Sequence, residues 1–160
     1  MQKRPFSTLL ILAPLAFLLH NLEESLTMVS FVQKNLQRIP TPIRLLAEHL
    51  QLTQTAFLIP VIMLTLLLAG ASLRLLLPNP PHWLTWVWPA AILTLCANAF
   101  IHILQAVWFG GYTPGLLTAV LLQLPIPILA ARASVRAGWL SRRAAYIWFF
   151  AGFPLVGVIS

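Results

Sequence analysis

The sequence predicts an all-α fold, an integral membrane helical bundle of about five transmembrane helices, and three observations carry that prediction. Hydrophobic residues fill 59% of the 160 positions and charged residues only 8%, where an ordinary soluble domain carries about 25% charged residues. Mean hydropathy is +0.87. The apolar positions gather into five runs parted by short polar gaps, without the alternation of a membrane β-barrel. Together these exclude a soluble globular or disordered chain, and the length fits a single membrane domain over residues 1–160.

The spans follow in order from the length a helix needs to cross a bilayer, about 17–25 apolar residues. The first covers Phe6–Leu26 and continues in character through Val29, Phe31 and Val32. Lys3 and Arg4 precede it as they would a secretory signal, but Leu18, Leu19, His20 and Asn21 stand where small cleavage-site residues belong, so it reads as a retained anchor. The stretch 30–53 is the one sizeable loop, broken by Pro40 and Pro42. The remaining spans are Ala56–Leu77, Leu84–Phe109, Leu116–Ala131 and Ala144–Ile159, the fourth interrupted by Pro125 and Pro127. Cys96, the lone cysteine, lies within an apolar run and excludes a disulfide framework or a multi-cysteine metal site.

The formal charge of +7 invites a nucleic-acid reading, but the cations lie between the apolar runs, where they act as topology determinants; no nucleic-acid partner is expected. With five spans, Lys3, Arg4, Arg74, Arg132, Arg136, Arg142 and Arg143 share one side, and Lys34, Arg38 and Arg44 the other. Basic residues concentrate on the cytoplasmic side. The expected setting is therefore the plasma membrane, with the N-terminus in the cytoplasm, the C-terminus outside and the lipid bilayer as partner. Trp83, Trp86, Trp88 and Trp139 are expected at the inner interface, and Trp108 and Tyr112 at the outer one.

The costly residues converge. His20, Glu23 and Glu24 fall late in the first span, Glu48 and His49 just before the second, and His102 in the outer part of the third, so all lie toward one membrane face. At 100° per residue, Glu23 and Glu24 flank His20 at about 60° and 40°, forming one polar arc. Asn98, His102 and Gln105 form a second stripe on an otherwise apolar helix. A carboxylate in mid-bilayer costs about 2.5–3.5 kcal/mol even on the lenient insertion scale, so the two stripes are expected to face each other.

The run His20-Asn21-Leu22-Glu23-Glu24 resembles the signature of the HXXEE family of small polytopic membrane proteins, mostly bacterial. Asn98 to His102 looks like that family's Asn-x-x-x-His element, and Tyr112-Thr113-Pro114-Gly115 its Tyr-x-Pro-Gly element. The resemblance implies a shared architecture and an enzymatic role, but no particular reaction. Glu48 and His49 lie outside its pattern.

The chemistry these residue types suit is a divalent metal site. Zn²⁺ takes imidazole nitrogen and carboxylate oxygen, and catalytic zinc keeps three protein ligands and one open position. His20 and Glu24, one turn apart, are expected to bind zinc or another divalent metal together with His102. Glu23 is expected to act as general base, Asn98 to orient a ligand or polarise a carbonyl, and Tyr112 to close over the site and donate its hydroxyl. One dication with two glutamates leaves no net charge in the low dielectric. The expected function is a metal-dependent membrane hydrolase acting on a lipid or lipid-linked substrate. The alternative is a non-enzymatic membrane protein with a buried Glu/His proton relay or ligand-binding pocket, transporter-like or sensory. In the plain structural alternative, the glutamates pair with Lys34 or Arg38 at the interface while the histidines bond across helices.

Overall fold

The structure, a computed structural model, describes residues 7–41, 44–45, 49 and 53–156. Among the described residues five long helices build the bundle: α1 (Ser7–Asn35), α2 (Gln54–Leu76), α3 (His82–Phe109), α4 (Leu116–Arg136) and α5 (Arg142–Val156). The first four are long and apolar enough to cross a membrane. α5 runs for 15 described residues, about 22 Å at 1.5 Å per residue, which falls short of a hydrocarbon core of about 30 Å. Of the five spans expected, four therefore have spanning length among the described residues. Glu48 lies outside those residues, and His49 is exposed.

α1 is longer than its apolar run because Ser30, Gln33 and Lys34 continue the helix beyond the greasy stretch. Pro14, Pro60, Pro89 and Pro154 all sit inside helices, as membrane bundles tolerate when neighbouring groups satisfy the freed carbonyls. Pro125 and Pro127 do not interrupt the fourth span as expected. α4 opens with Leu116–Thr118, widens into a π turn over Ala119–Gln123, and resumes as regular helix from Pro125. The wider turn places Pro125 at a new helix start, where a missing N–H costs least.

An apolar layer binds one half of the bundle. Leu10, Ala13 and Phe17 of α1 meet Leu68 and Leu75 of α2, Leu84, Trp88 and Ile92 of α3, and Ala130 of α4. Trp88 is a correction to the interfacial belt. It is 1% exposed and its indole N–H donates to Ser72 Oγ at 2.8 Å, so it is a core anchor, while Trp83 and Trp86 remain exposed. α5 packs along α3, where Phe100, Phe149 and Phe153 stack edge to face. Gly152 makes that approach possible, since a Cβ there would stand 2.8 Å from Ala97 Cβ and 3.0 Å from Thr94 Cα.

At the other half, polar groups replace apolar ones. α3 ends at Gly110, whose φ of 68° lets its N–H and that of Gly111 turn back to the carbonyls of Val107 and Ala106. Arg38, just beyond α1, donates from Nη1 to Phe109 O at 3.0 Å and from Nη2 to Trp108 O at 3.3 Å. It thus satisfies carbonyls left open at the helix end and places a cation at the negative end of the α3 dipole. The α1 and α3 termini are fixed side by side, and the site lies about two to four turns in from them.

Candidate metal centre

The two polar stripes face each other across α1 and α3. His20 is 0% exposed, His102 1% and Glu24 6%. The imidazole centroids stand 4.7 Å apart, edge to face. Asn98, one turn before His102, reaches between the rings: its Nδ2 lies 3.2 Å from His20 Nε2 and 3.2 Å from His102 Nε2. An amide NH₂ has two protons to give and no lone pair to share, so both Nε2 atoms are acceptors. Gln105, the third member of the α3 stripe, makes none of the site's hydrogen bonds among the described residues.

A second line of contacts fixes the same tautomer for His20 independently. Thr118 Oγ1 lies 2.5 Å from Glu23 Oε2 and 3.1 Å from His20 Nδ1. An ionised carboxylate only accepts, so the single hydroxyl proton of Thr118 goes to Glu23, and Thr118 accepts from His20 Nδ1–H. His20 Nε2 is thereby bare. Glu24 Oε2 lies 3.8 Å from that nitrogen. Among the described residues the Glu24 carboxylate accepts no hydrogen bond. One ligand atom from each of His20, Glu24 and His102 falls within 4.8 Å of the others, the spacing of groups able to share one ion.

Consecutive glutamates serve different partners because 100° separates them on the helix. Glu24 turns to the histidines; Glu23 turns to the start of α4. Its Oε1 accepts from Tyr112 O–H at 2.6 Å and Leu117 N–H at 3.1 Å, and its Oε2 from Thr118 N–H at 2.8 Å as well as the Thr118 hydroxyl. A helix N-terminus offers free N–H groups and a positive dipole end, so a carboxylate docks there naturally. This arrangement corrects the expectation of a general base. Four donors occupy the lone-pair positions of a two-oxygen group, leaving none to take a proton from a reacting molecule.

The segment that joins α3 to α4 forms the roof. Thr113 is fully buried and donates to His102 O at 3.3 Å. Gly115 follows in the left-handed region at φ 75°, and a Cβ there would meet His20 Cε1 at 2.6 Å and His102 Cε1 at 3.2 Å. The Pro-Gly turn therefore does more than start a helix: it lays bare backbone on the two imidazoles. Tyr112 stands at the rim, 52% exposed, joined to the site through Glu23 rather than by direct contact. Burial, then the bond to Glu23, raises its phenol above the ordinary value.

All six residues expected at the site are present together: His20, Glu23, Glu24, Asn98, His102 and Tyr112. Thr118 was missed, and Thr113 and Gly115, noted as part of the Tyr-x-Pro-Gly element, were given no role of their own. The signal for Thr118 was its place in the first turn of a helix that starts beside a membrane-buried glutamate. Gln123 was missed too; it is 1% exposed, in the π turn, and among the described residues both atoms of its amide lack a hydrogen-bond partner, as does His102 Nδ1.

A family described as proteins of unknown function with HXXEE motif matches residues 11–130, most of the chain, and the protein belongs to it. The motif's histidine and two glutamates are His20, Glu23 and Glu24. No curated protein matches the chain, and no solved structure does.

Proposed function

We propose that this HXXEE-family protein is a membrane metalloprotein whose ion is held by His20 Nε2, Glu24 and His102 Nε2. The observation that carries the reading is the buried Glu24 carboxylate, which among the described residues has no donor of its own, beside two imidazoles whose unprotonated Nε2 atoms meet only the Asn98 amide. A carboxylate out of water must take up a proton or meet a cation. The two Nε2 lone pairs that the Asn98 amide meets are the ones an ion would take over, and Glu24 Oε2 at 3.8 Å from the first brings the charge to balance it. The Glu23–Thr118–His20 line is the kind of outer support that fixes the tautomer of a metal-binding histidine.

Within that reading the reaction class is metal-assisted hydrolysis of a lipid or lipid-linked substrate. Three protein ligands leave a coordination position open, as in catalytic zinc sites. A dication there supplies Lewis acidity and a bound water of lowered pKa. Asn98 is the residue placed to meet a second ligand, because its amide already spans the two nitrogens. Glu23 holds α4 and the Thr118 hydroxyl in place and is a positioning residue.

A second reading has one observation in its favour. Tyr112, Glu23, Thr118 and His20 form an unbroken hydrogen-bonded line from the exposed rim to a fully buried imidazole, the layout of a proton relay in a non-enzymatic protein. Metal analysis of the purified protein separates the two. One zinc or other transition metal per chain is expected, lost in His20→Ala, Glu24→Ala and His102→Ala and kept in Glu23→Gln. Metal-free wild type that binds none on titration overturns the metalloprotein reading and leaves the relay.

A further inference from the structure

Beyond the metal centre, the same end of the bundle carries a cleft of about 290 Å³ lined by Thr27, Ser30, Phe31, Lys34, Asn35, Phe109 and Tyr112. We infer that this cleft binds the anionic phosphate headgroup of a membrane lipid, with Lys34 as the residue that recognises the charge.

The first argument is which donors remain. The Thr27 hydroxyl donates to Glu23 O, the Ser30 hydroxyl to Thr27 O and the Tyr112 hydroxyl to Glu23 Oε1, while one of the two Asn35 amide protons goes to Phe31 O. Lys34 alone brings a charge to the lining, with three N–H donors, and among the described residues it makes no ion pair or hydrogen bond. Among the described residues no acid lines the cleft to claim it, and Glu23 behind Tyr112 already accepts four hydrogen bonds. The neighbouring cation, Arg38, lies over the Phe109 ring at 5.2 Å and adds positive potential behind that wall. An anion is the complement of such a lining.

The second argument is depth. α1 has 29 residues, about 43 Å of helix at 1.5 Å per residue. That exceeds a hydrocarbon core of about 30 Å and matches the 40–45 Å of a bilayer with its headgroups. Its last two turns, from Thr27 to Asn35, therefore stand at the level where lipid phosphates lie. Phe31 and Phe109, in edge contact at 4.9 Å, offer apolar surface to the acyl end of the same molecule.

The inference does not depend on a bound metal, and its test separates the two. Native mass spectrometry of the full chain in detergent measures binding of dioleoyl phosphatidylglycerol against dioleoyl phosphatidylcholine, with inorganic phosphate as competitor. Wild type is expected to prefer phosphatidylglycerol. A charge-assisted hydrogen bond is worth enough that Lys34→Gln should weaken that binding about tenfold or more. Lys34→Arg should restore it, and Arg136→Gln at the opposite end and His20→Ala should leave it unchanged. Equal loss in Arg136→Gln, wild-type affinity in Lys34→Gln, or a loss in Lys34→Gln shared by both lipids would overturn the inference. Displacement of the lipid by millimolar inorganic phosphate would overturn it as well, by making the site one for a free anion.

Discussion

Thr118 and Asn98 together decide which nitrogen of His20 carries the proton, and Thr118 does so from a helix that the HXXEE signature does not include. Its hydroxyl proton is committed to Glu23, so His20 must donate from Nδ1 and leave Nε2 open. Outer-shell partners of this kind typically change metal affinity 10–100-fold. Thr118→Val is accordingly expected to weaken metal binding by about that factor, with Thr118→Ser close to wild type. Metal affinity unchanged in Thr118→Val would show that the tautomer is set elsewhere. Most of the candidate site was legible at this scale, since a membrane-buried His, Glu or Asn has few apolar explanations. What the sequence could not show was that Glu23, expected as a general base, is held by the start of α4. Which helix end a glutamate docks on is a property of packing and leaves no mark in its own sequence neighbourhood. Thr118 and Gly115 were hidden for a different reason: one is an ordinary helix residue and the other an ordinary turn glycine, and only the docked roof makes them specific.

The helices themselves were legible because length and apolarity alone define a spanning segment, and the expected bounds of α2 and α3 are met within two residues at either end. The π turn of α4 was not, because widening by one residue leaves no mark in composition; Pro125 and Pro127 looked like breaks and are instead the start of the resumed helix. Trp88 was misplaced because aromatic belts and core tryptophans share a sequence position near a helix end. Its burial depends on Ser72 lying opposite its N–H. Helix contacts give a direct test. A methyl at Gly152 would press on Ala97 and on the Thr94 backbone, an overpacking whose cost is typically about 1–3 kcal/mol. A Cβ at Gly70 meets nothing within 4 Å, and Ala there gains about 0.5–1 kcal/mol of helix preference. Thermal denaturation in detergent should therefore show Gly152→Ala destabilised and Gly70→Ala at or above wild type. The reverse order would mean that α5 does not pack on α3 through Gly152.

For the whole molecule, the arrangement places an apolar layer at one end of the bundle and a polar chamber at the other, with Arg38 tying α1 to α3 above it. The distribution of cations, seven to three across the expected five spans, predicts that the chamber faces the outer side of the membrane. Gly111 is exposed, beside the roof, with open space where a Cβ would go. Gly111→Cys in a Cys96→Ala background should react with an impermeant thiol reagent from outside intact cells; labelling only after lysis would invert the orientation while leaving the site intact. The central claim concerns the ion. X-ray absorption at the metal edge of the purified, zinc-loaded protein counts its ligands directly. The proposed centre should show two imidazoles and at least one oxygen at distances near 2.0–2.2 Å, falling to one imidazole in His102→Ala. A spectrum without imidazole scattering, or one that His102→Ala leaves unchanged, would contradict a shared ion between α1 and α3.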